Sequence, residues 1–398
     1  MPEVHALSQE GVVFTTMRSA APWTYPSVIS MFSGLYPQQH GANGSRHSFL
    51  KLSIFSPEVP LLPHLIKERY YTAAFVTNPF LHRWNSFHLG FDHFAIDEFI
   101  GDQGARAGDG DAVWTEHMFS DTVNATIREH FDSRDYVAGT TPEFTYVHYI
   151  DVHGPWKGAP FDVGDASYRE TEDEAYGKAA GYVDQRIVEL YRYFTERYGG
   201  DLVFAVTSDH GQELGDDLRL SHRYLDRIRK ATVHDFNTRI PFLLLPSRHV
   251  PRGKRLDFAC SNVDIGPTLL EWAEDSSPVA TRGVSLLPAI RGEEFDLGAR
   301  PIYSIRDAFG HHNDCVVLDD KKYMRYFHDD SDRLLHEVVL DLARDPDERL
   351  VIDYQLGSAE RMVQRAARSQ GVEFEAVYEE PDEELKSQLQ DLGYLGEE

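Results

Sequence analysis

Positive charge is what this sequence has least of. Its 39 Lys and Arg face 65 Asp and Glu, for a formal charge of -26 and a sequence pI near 5.1. A phosphate backbone would meet repulsion on such a surface, so nucleic acid is excluded as a partner. Arginine far outnumbers lysine among the cations. An acidic, lysine-poor surface suits concentrated salt, which screens its self-repulsion, and a halophilic source is the expectation. Cysteine is nearly absent: Cys260 and Cys315 stand far apart with no CxxC or Cys/His spacing. That excludes a disulfide framework and a zinc site, and leaves two buried thiols. Long apolar runs are missing too. The first thirty or so residues have no basic start followed by an apolar stretch, and nowhere do about eighteen uncharged apolar residues follow one another. The chain therefore reads as neither secreted nor membrane-spanning, and the cytoplasm is its expected location.

What is present is enough for a large core. The 398 residues, 41% hydrophobic and 12% aromatic, exceed the roughly 100 to 200 residues of a typical single core, which predicts a large domain with a smaller appendage. Short β-rich runs recur between helical stretches: TAAFV (72 to 76), FTYVHYI (144 to 150), LVFAVTS (202 to 208) and IPFLLL (240 to 245). Bounded by turn residues, they read as buried strands of an α/β sheet. Before the third lies an amphipathic helix with Val183, Ile187, Leu190, Phe194 and Tyr198 on one face and Gly199-Gly200 as its stop. Such βαβ grammar puts functional groups at strand C-termini. From about residue 301 the texture changes to PIYSI, CVVL, KYMRYF and LHEVVLDL, which predicts a small antiparallel sheet. The segments 101 to 140 and 165 to 175 read as surface insertions, and EELKSQLQDLGYL as a closing helix.

Two segments carry chemistry. In AAPWTYPSVISMFSGLYPQQHG (20 to 41), Thr24 stands at the mouth of a helix, where the positive helix end would stabilise an anionic ester beside a nucleophile. An N-cap Thr or Ser opening a buried helix gives the same pattern. In LVFAVTSDHGQELG (202 to 215), a strand runs into Asp209-His210-Gly211, whose carboxylate and imidazole suit a divalent metal. An Asp N-cap beside a surface His explains that segment equally well.

Together the two segments resemble the sulfatase family of the alkaline phosphatase superfamily. Its signature runs Cys or Ser, any residue, Pro-Ser-Arg, then Thr-Gly and a Tyr-Pro turn ending in His-Gly. The matching positions here are Thr24, Pro26, Ser27, Val28, Ser33, Gly34, Tyr36, Pro37, His40 and Gly41. The likeness continues, in order, through MPEVHALSQEGVVF, YIDVHGPW, TSDHGQELG, KATVHDFNTRIP, VDIGPTLLEWA, GVSLLPAIRG, LDLARDPDE and LGYL. It implies an α/β fold with an alkaline-phosphatase/sulfatase-like central sheet flanked by helices, over 1 to 300. A smaller C-terminal antiparallel-sheet subdomain with its closing helix would occupy 301 to 398. It also implies metal-assisted hydrolysis of sulfate or phosphate esters, with Thr24 as nucleophile. Asp209 and His210 would ligate one divalent metal, Ca²⁺ before Mg²⁺ or Mn²⁺, and His153 and Lys230 would contact the anionic oxygens of a small ester substrate. Asp151, Asn78 and His222 are further pocket candidates. Neither nucleic acid nor membrane is implied as a partner, and the oligomeric state is left open.

Four departures from the family pattern bear on catalysis. A first strand ending in two adjacent aspartates, expected just upstream of the lead-in, is not in the chain as it begins at Met1-Pro2. Thr24 replaces the Cys or Ser that becomes formylglycine, Val28 replaces the supporting Arg, and Val76-Thr77-Asn78-Pro79 stands where Gly-Lys-Trp-His is expected. No formylglycine is therefore expected. A sulfated threonine lacks the aldehyde's route for releasing sulfate, whereas a phosphorylated threonine can be hydrolysed at phosphorus, so Thr24 tilts the activity toward phosphate or phosphonate esters. The chain as given is expected to bind divalent metal weakly and to turn over negligibly. The rival reading is a catalytically inactive remnant or binding module. A phosphoglycerate-mutase-like isomerase would need a second Asp/His cluster, and none is found in order.

Overall fold

The computed structural model describes residues 1–45, 48–55, 58–100, 119–134, 141–154, 156, 159–162, 169–214, 232–274, 281–308, 311–327, 333–348 and 377–379. All four apolar runs contain strands, in two half-sheets. Tyr71–Val76 is the middle of one, parallel to His93–Ala95 on one side and to Glu143–His148 on the other. The second half-sheet runs in the order Lys254–Leu256, Val12–Phe14, Phe242–Leu244, Ala205–Thr207. Phe242–Leu244 is antiparallel to both its neighbours, and the outer pair Val12–Phe14 and Lys254–Leu256 is parallel.

The flanking layers pass continuously over both half-sheets. The helix Arg169–Arg197 puts Val183, Ile187, Leu190 and Phe194 inward, as its 3.6-residue pattern predicts. It ends at Gly199 and Gly200, with φ of 58° and 77°. Its apolar stripe covers Val147 and Tyr149 from one half-sheet and Leu202, Phe204 and Val206 from the other. On the opposite face, Phe144, Tyr146 and Val203 pack against a cluster that includes Val28, Ile29 and Phe32 of the helix Thr24–Ser33. The short helix Pro2–Ser8 lies on the same side as Arg169–Arg197. The backbone N–H groups of Glu3 and Val4 donate to the Asp184 carboxylate at 2.9 and 2.8 Å, and Val4 and Leu7 join the cluster with Tyr149, Phe204 and Val206.

No strand among the described residues joins the two half-sheets. Among the described residues, Glu143–His148 pairs on one edge alone and so does Ala205–Thr207. This corrects the expectation that FTYVHYI and LVFAVTS are buried strands: Glu143 to His148 are half-buried throughout, and Ala205 is exposed. A strand without a neighbour leaves one edge of its backbone and the flanks of its side chains open to water.

The two predicted insertions are also corrected where they are described. Ser120–Asp132 is a helix whose Val123, Ile127 and Phe131 enter the core beside Phe75, an i, i+4, i+8 stripe of the kind a packed helix needs. Residues 169 to 175 form the first turns of the long helix. The remainder of both segments lies outside the described residues.

Beyond residue 300 a four-stranded antiparallel sheet runs Ile302–Ala308, His311–Leu318, Lys321–Phe327, Leu334–Asp341, with KYMRYF in its third strand. It docks through Tyr303 and Val316 on Ala20, Tyr36 and Val263, and through Met324, Tyr326, Val338 and Leu340 on Val233. A buried charge group joins the same surfaces. Lys322 Nζ lies 2.7 Å from both Asp235 Oδ1 and Glu348 Oε1, Arg18 forks onto Asp235 at 3.0 and 2.6 Å, and His234 Nδ1 meets Glu348 Oε2 at 2.7 Å. The predicted closing helix lies outside the described residues. Among those residues, no helix is long and apolar enough to cross a membrane.

Candidate active site

Three chain segments meet where the strands of the two half-sheets end. The helix Thr24–Ser33 enters with every residue buried. Its N-cap is Trp23, in extended conformation (φ -156°, ψ 159°), so Thr24 is the first helical residue and not the cap. Asn78, just past the strand Tyr71–Val76, donates from Nδ2 to Thr24 Oγ1 at 3.3 Å. Its Oδ1 accepts the Phe80 N–H at 2.9 Å, which fixes the amide with its donor toward Thr24. The third segment is Asp209-His210-Gly211, whose Asp209 carboxylate is stabilised by the nearby Thr24 hydroxyl. With Asn78 donating to Oγ1, the Thr24 proton is left available to an acceptor such as Asp209.

Asp209 is fastened in place by its main chain. Ser27 Oγ donates to the Asp209 carbonyl at 2.5 Å, and Asn262 Nδ2 donates to Ser27 Oγ at 2.9 Å. Gly211 donates its N–H to Asn237 O at 2.7 Å, and a Cβ on Gly211 would stand 2.1 Å from Phe236 O; this close approach requires glycine. Asp209 Oδ1 accepts the His210 N–H at 2.9 Å, and the carboxylate caps no helix among the described residues. Burial pushes the carboxyl up. The imidazoles of His210 and His148, the Thr24 hydroxyl and the His210 N–H outweigh it, and together hold Asp209 below the usual carboxylate range.

His210 Nδ1 pairs with Gly211 O at 2.7 Å, which makes Nδ1 the protonated nitrogen and leaves a lone pair on Nε2. That Nε2 lies 3.5 Å from Asp209 Oδ2, a separation at which one cation can be shared by both atoms. The donor pair therefore fits two positions of a coordination sphere. Among the described residues, no group of three or more His, Cys, Asp or Glu is placed to hold a metal.

The other candidates are placed differently. His153 lies in the loop after Glu143–His148, with Nδ1 2.5 Å from Gly154 O. Asp151 is fully buried and accepts the Ser120 N–H and Oγ at 3.0 and 2.8 Å. It thus holds the start of the helix Ser120–Asp132, and burial pushes its carboxyl up to about 6. Lys230 and His222 lie outside the described residues. Sequence reasoning missed Tyr146 and His148, whose side chains stand 2.9 Å apart through Tyr146 OH and His148 Nδ1. The i, i+2 spacing of Phe144, Tyr146 and His148, which puts all three on one strand face, was the available signal.

His40, from the Tyr-Pro turn, is structural. Fully buried, it accepts the Ala42 N–H on Nδ1 at 3.0 Å and meets Ser30 Oγ through Nε2 at 2.9 Å. Burial pushes its pKa down to about 3. Its folded value lies below the unfolded one near 6.5, so the unfolded state binds the extra proton between these limits. The stability tied to neutral His40 is present above about pH 6.5 and is lost as pH falls toward 3. Unfolding free energy measured by urea titration from pH 7 to 4 is expected to fall with a slope of up to about 1.4 kcal/mol per pH unit from this one group. His40→Gln should flatten that limb; an unchanged slope would assign it to other groups.

A family model described as Sulfatase matches residues 1–276. An arylsulfatase of Clostridium perfringens is 27% identical over 179 residues, covering 44% of this chain and 34% of that protein. PehA of Trinickia caryophylli, a multifunctional alkaline phosphatase superfamily protein, is 28% identical over 225 residues, covering 50% of this chain and 41% of that one. The matched stretch thus spans less than half the length of either relative. The solved structure of the phosphonate monoester hydrolase SpPMH from Silicibacter pomeroyi superposes with a TM-score of 0.65 at 16% identity, covering 94% of this chain and 90% of that one. That likeness is one of fold.

Proposed function

Because the chain belongs to the sulfatase family, we propose that it is a metal-assisted hydrolase of sulfate or phosphate esters, with Thr24 as nucleophile. The observation that carries this reading is the Thr24 hydroxyl itself. It sits at the first position of a buried helix, receives a hydrogen bond from Asn78 and lies beside the Asp209 carboxylate, whose charged form it stabilises. Asp209 is an acceptor for the Thr24 proton as Oγ1 bonds the sulfur or phosphorus centre and the ester's alcohol oxygen leaves with the electron pair of the broken bond. Water then cleaves the Thr24 ester and restores the hydroxyl, and the helix end favours the anions that result. Asp209 and His210 would hold a divalent cation, Ca²⁺ before Mg²⁺ or Mn²⁺, whose charge would neutralise ester oxygens. His153 and Lys230 are the proposed contacts to those oxygens.

Threonine cannot form the aldehyde hydrate, so phosphate or phosphonate esters are preferred over sulfates in this reading, and no formylglycine takes part. The substrate is a small anionic ester. The same proposal divides the chain at residue 300, next to the first strand of the antiparallel sheet, and sets it in a salt-rich cytoplasm suited to its acidic composition. One observation favours a second reading, a binding module without turnover: the described residues supply two metal donors and no third.

The test uses a panel of aryl sulfate, phosphate monoester, phosphate diester and phosphonate, run with Ca²⁺, Mg²⁺, Mn²⁺ and Zn²⁺ at low and high salt. It compares the 398-residue chain with one carrying an extended apolar strand, ending in two aspartates, fused ahead of Met1. Glu143–His148 and Ala205–Thr207 each pair on one edge alone among the described residues, and the helix Pro2–Ser8 packs beside both. Added carboxylates raise the affinity of an oxygen-ligand site steeply, so Ca²⁺ titrated calorimetrically should bind the fused chain on the order of a hundredfold more tightly, with turnover following. Weak binding and no turnover by both forms would favour the binding module.

A further inference from the structure

The site holds one polar group that the proposed mechanism leaves unused. His148 is the last residue of Glu143–His148 and the register partner of Val76 in the parallel pair. The next residue, Thr77, donates its hydroxyl to His148 O at 2.8 Å, and the one after it is Asn78, which donates to Thr24. Two short steps of chain therefore join His148 to the Thr24 hydroxyl. Its ring is on the same strand face as Phe144 and Tyr146, which turn toward the helix Thr24–Ser33; the Tyr146 and Phe32 ring centroids are 4.9 Å apart.

Tyr146 occupies one of the two imidazole nitrogens. Burial, and then the charge of Asp209, push its phenol well above its usual range, so at neutral pH the hydroxyl keeps its proton and is able to donate. It meets His148 Nδ1 at 2.9 Å. When that hydroxyl donates to Nδ1, the imidazole proton resides on Nε2. Nε2 has no hydrogen-bond partner among the described residues, and the ring is half-buried, with one strand edge open beside it. Asp209 and His210 are the charged and titratable neighbours whose fields reach it.

We propose that His148, oriented by Tyr146, donates its Nε2–H to an anionic oxygen of the ester bound at Thr24. The proposal rests on the Thr24 site reading and adds a substrate contact to it. Inorganic phosphate is the probe, titrated calorimetrically with Mg²⁺ into the 398-residue chain and four variants. His148→Ala should weaken phosphate binding about tenfold, as loss of a hydrogen bond to a charged group does. His148→Gln, whose amide nitrogen can reach the Nε2 position, should recover most of it. Such rescue is foreign to a merely structural histidine.

Tyr146→Phe should shift the His148 ring toward a mixed tautomer, read from its ¹⁵N shifts, and weaken binding less than His148→Ala does. Phosphate binding lost on Asp209→Asn but unchanged by His148→Ala would overturn this proposal and leave the site reading intact. Binding that Asp209→Asn does not alter, or no binding by the unsubstituted chain, would overturn the site reading and this proposal together.

Discussion

In the chain carrying the fused strand, Thr24→Ala is expected to lower turnover of the best ester by about a thousandfold or more, since removal of a nucleophile leaves only binding and electrostatic assistance. Thr24→Ser, which keeps the hydroxyl, should retain measurable turnover. The loss can be separated from damage to the fold. Thr24 is 2% exposed, and its truncation removes one methyl and one hydroxyl, leaving the Asn78 amide and the Asp209 carboxylate each short of a partner. About 1 to 3 kcal/mol of stability should go with it. A folded variant with normal turnover would remove Thr24 from the chemistry and return its role to helix packing. Asn78→Ala supplies a graded comparison: it deletes the donor to Thr24 Oγ1 while leaving the oxygen in place, and should cost less activity than Thr24→Ala.

The juxtaposition behind that expectation was partly legible before any coordinates. A strand ending in Asp-His-Gly and a helix opening at Thr-Tyr-Pro-Ser each place a polar group at an element's end, and α/β topology brings such ends together. The order of motifs identified the family. What stayed hidden was non-local. Whether Phe144 to His148 is buried depends on a strand pairing along its free edge, and no residue within the run records whether that neighbour exists. Alternation put Tyr146 and His148 on one face but could not show which group that face meets. The charge of the acidic segment 165 to 175 suggests a surface loop, whereas 169 to 175 begin a helix, whose first turns accept carboxylates readily. Lys322 was silent for a related reason: in KKYMRYF it shares a face with Met324 and Tyr326, and a lysine there reads as a strand edge until its two carboxylates, distant in sequence, are seen.

That lysine supports the last prediction. Lys322 is wholly buried, flanked by Asp235 and Glu348, with Arg18 on Asp235 and His234 on Glu348. Burial pushes the Asp235 and Glu348 carboxyls up. Lys322 and Arg18 together outweigh it at Asp235, and Lys322 and His234 together at Glu348, so both carboxyls fall below their usual values. Lys322→Met conserves length and apolar bulk but strands two carboxylates with one guanidinium. Loss of one member of a buried pair typically costs about 3 to 5 kcal/mol, and that is the loss expected at pH 7 from the guanidinium chloride midpoint. A depressed carboxylate contributes stability above its unfolded pKa, near 4, and loses it as pH falls further. In the variant, one carboxyl should instead rise above its unfolded value and take up a proton, so the gap between variant and parent should narrow from pH 7 toward pH 4. Adding Glu348→Gln to Lys322→Met should recover part of the loss at pH 7, because it removes a buried carboxylate charge that has lost its lysine. A gap under about 1 kcal/mol at pH 7 would mean that water reaches the carboxylates once the lysine is gone, and that the apolar contacts of Met324, Tyr326 and Leu340 with Val233 hold the antiparallel sheet to the core.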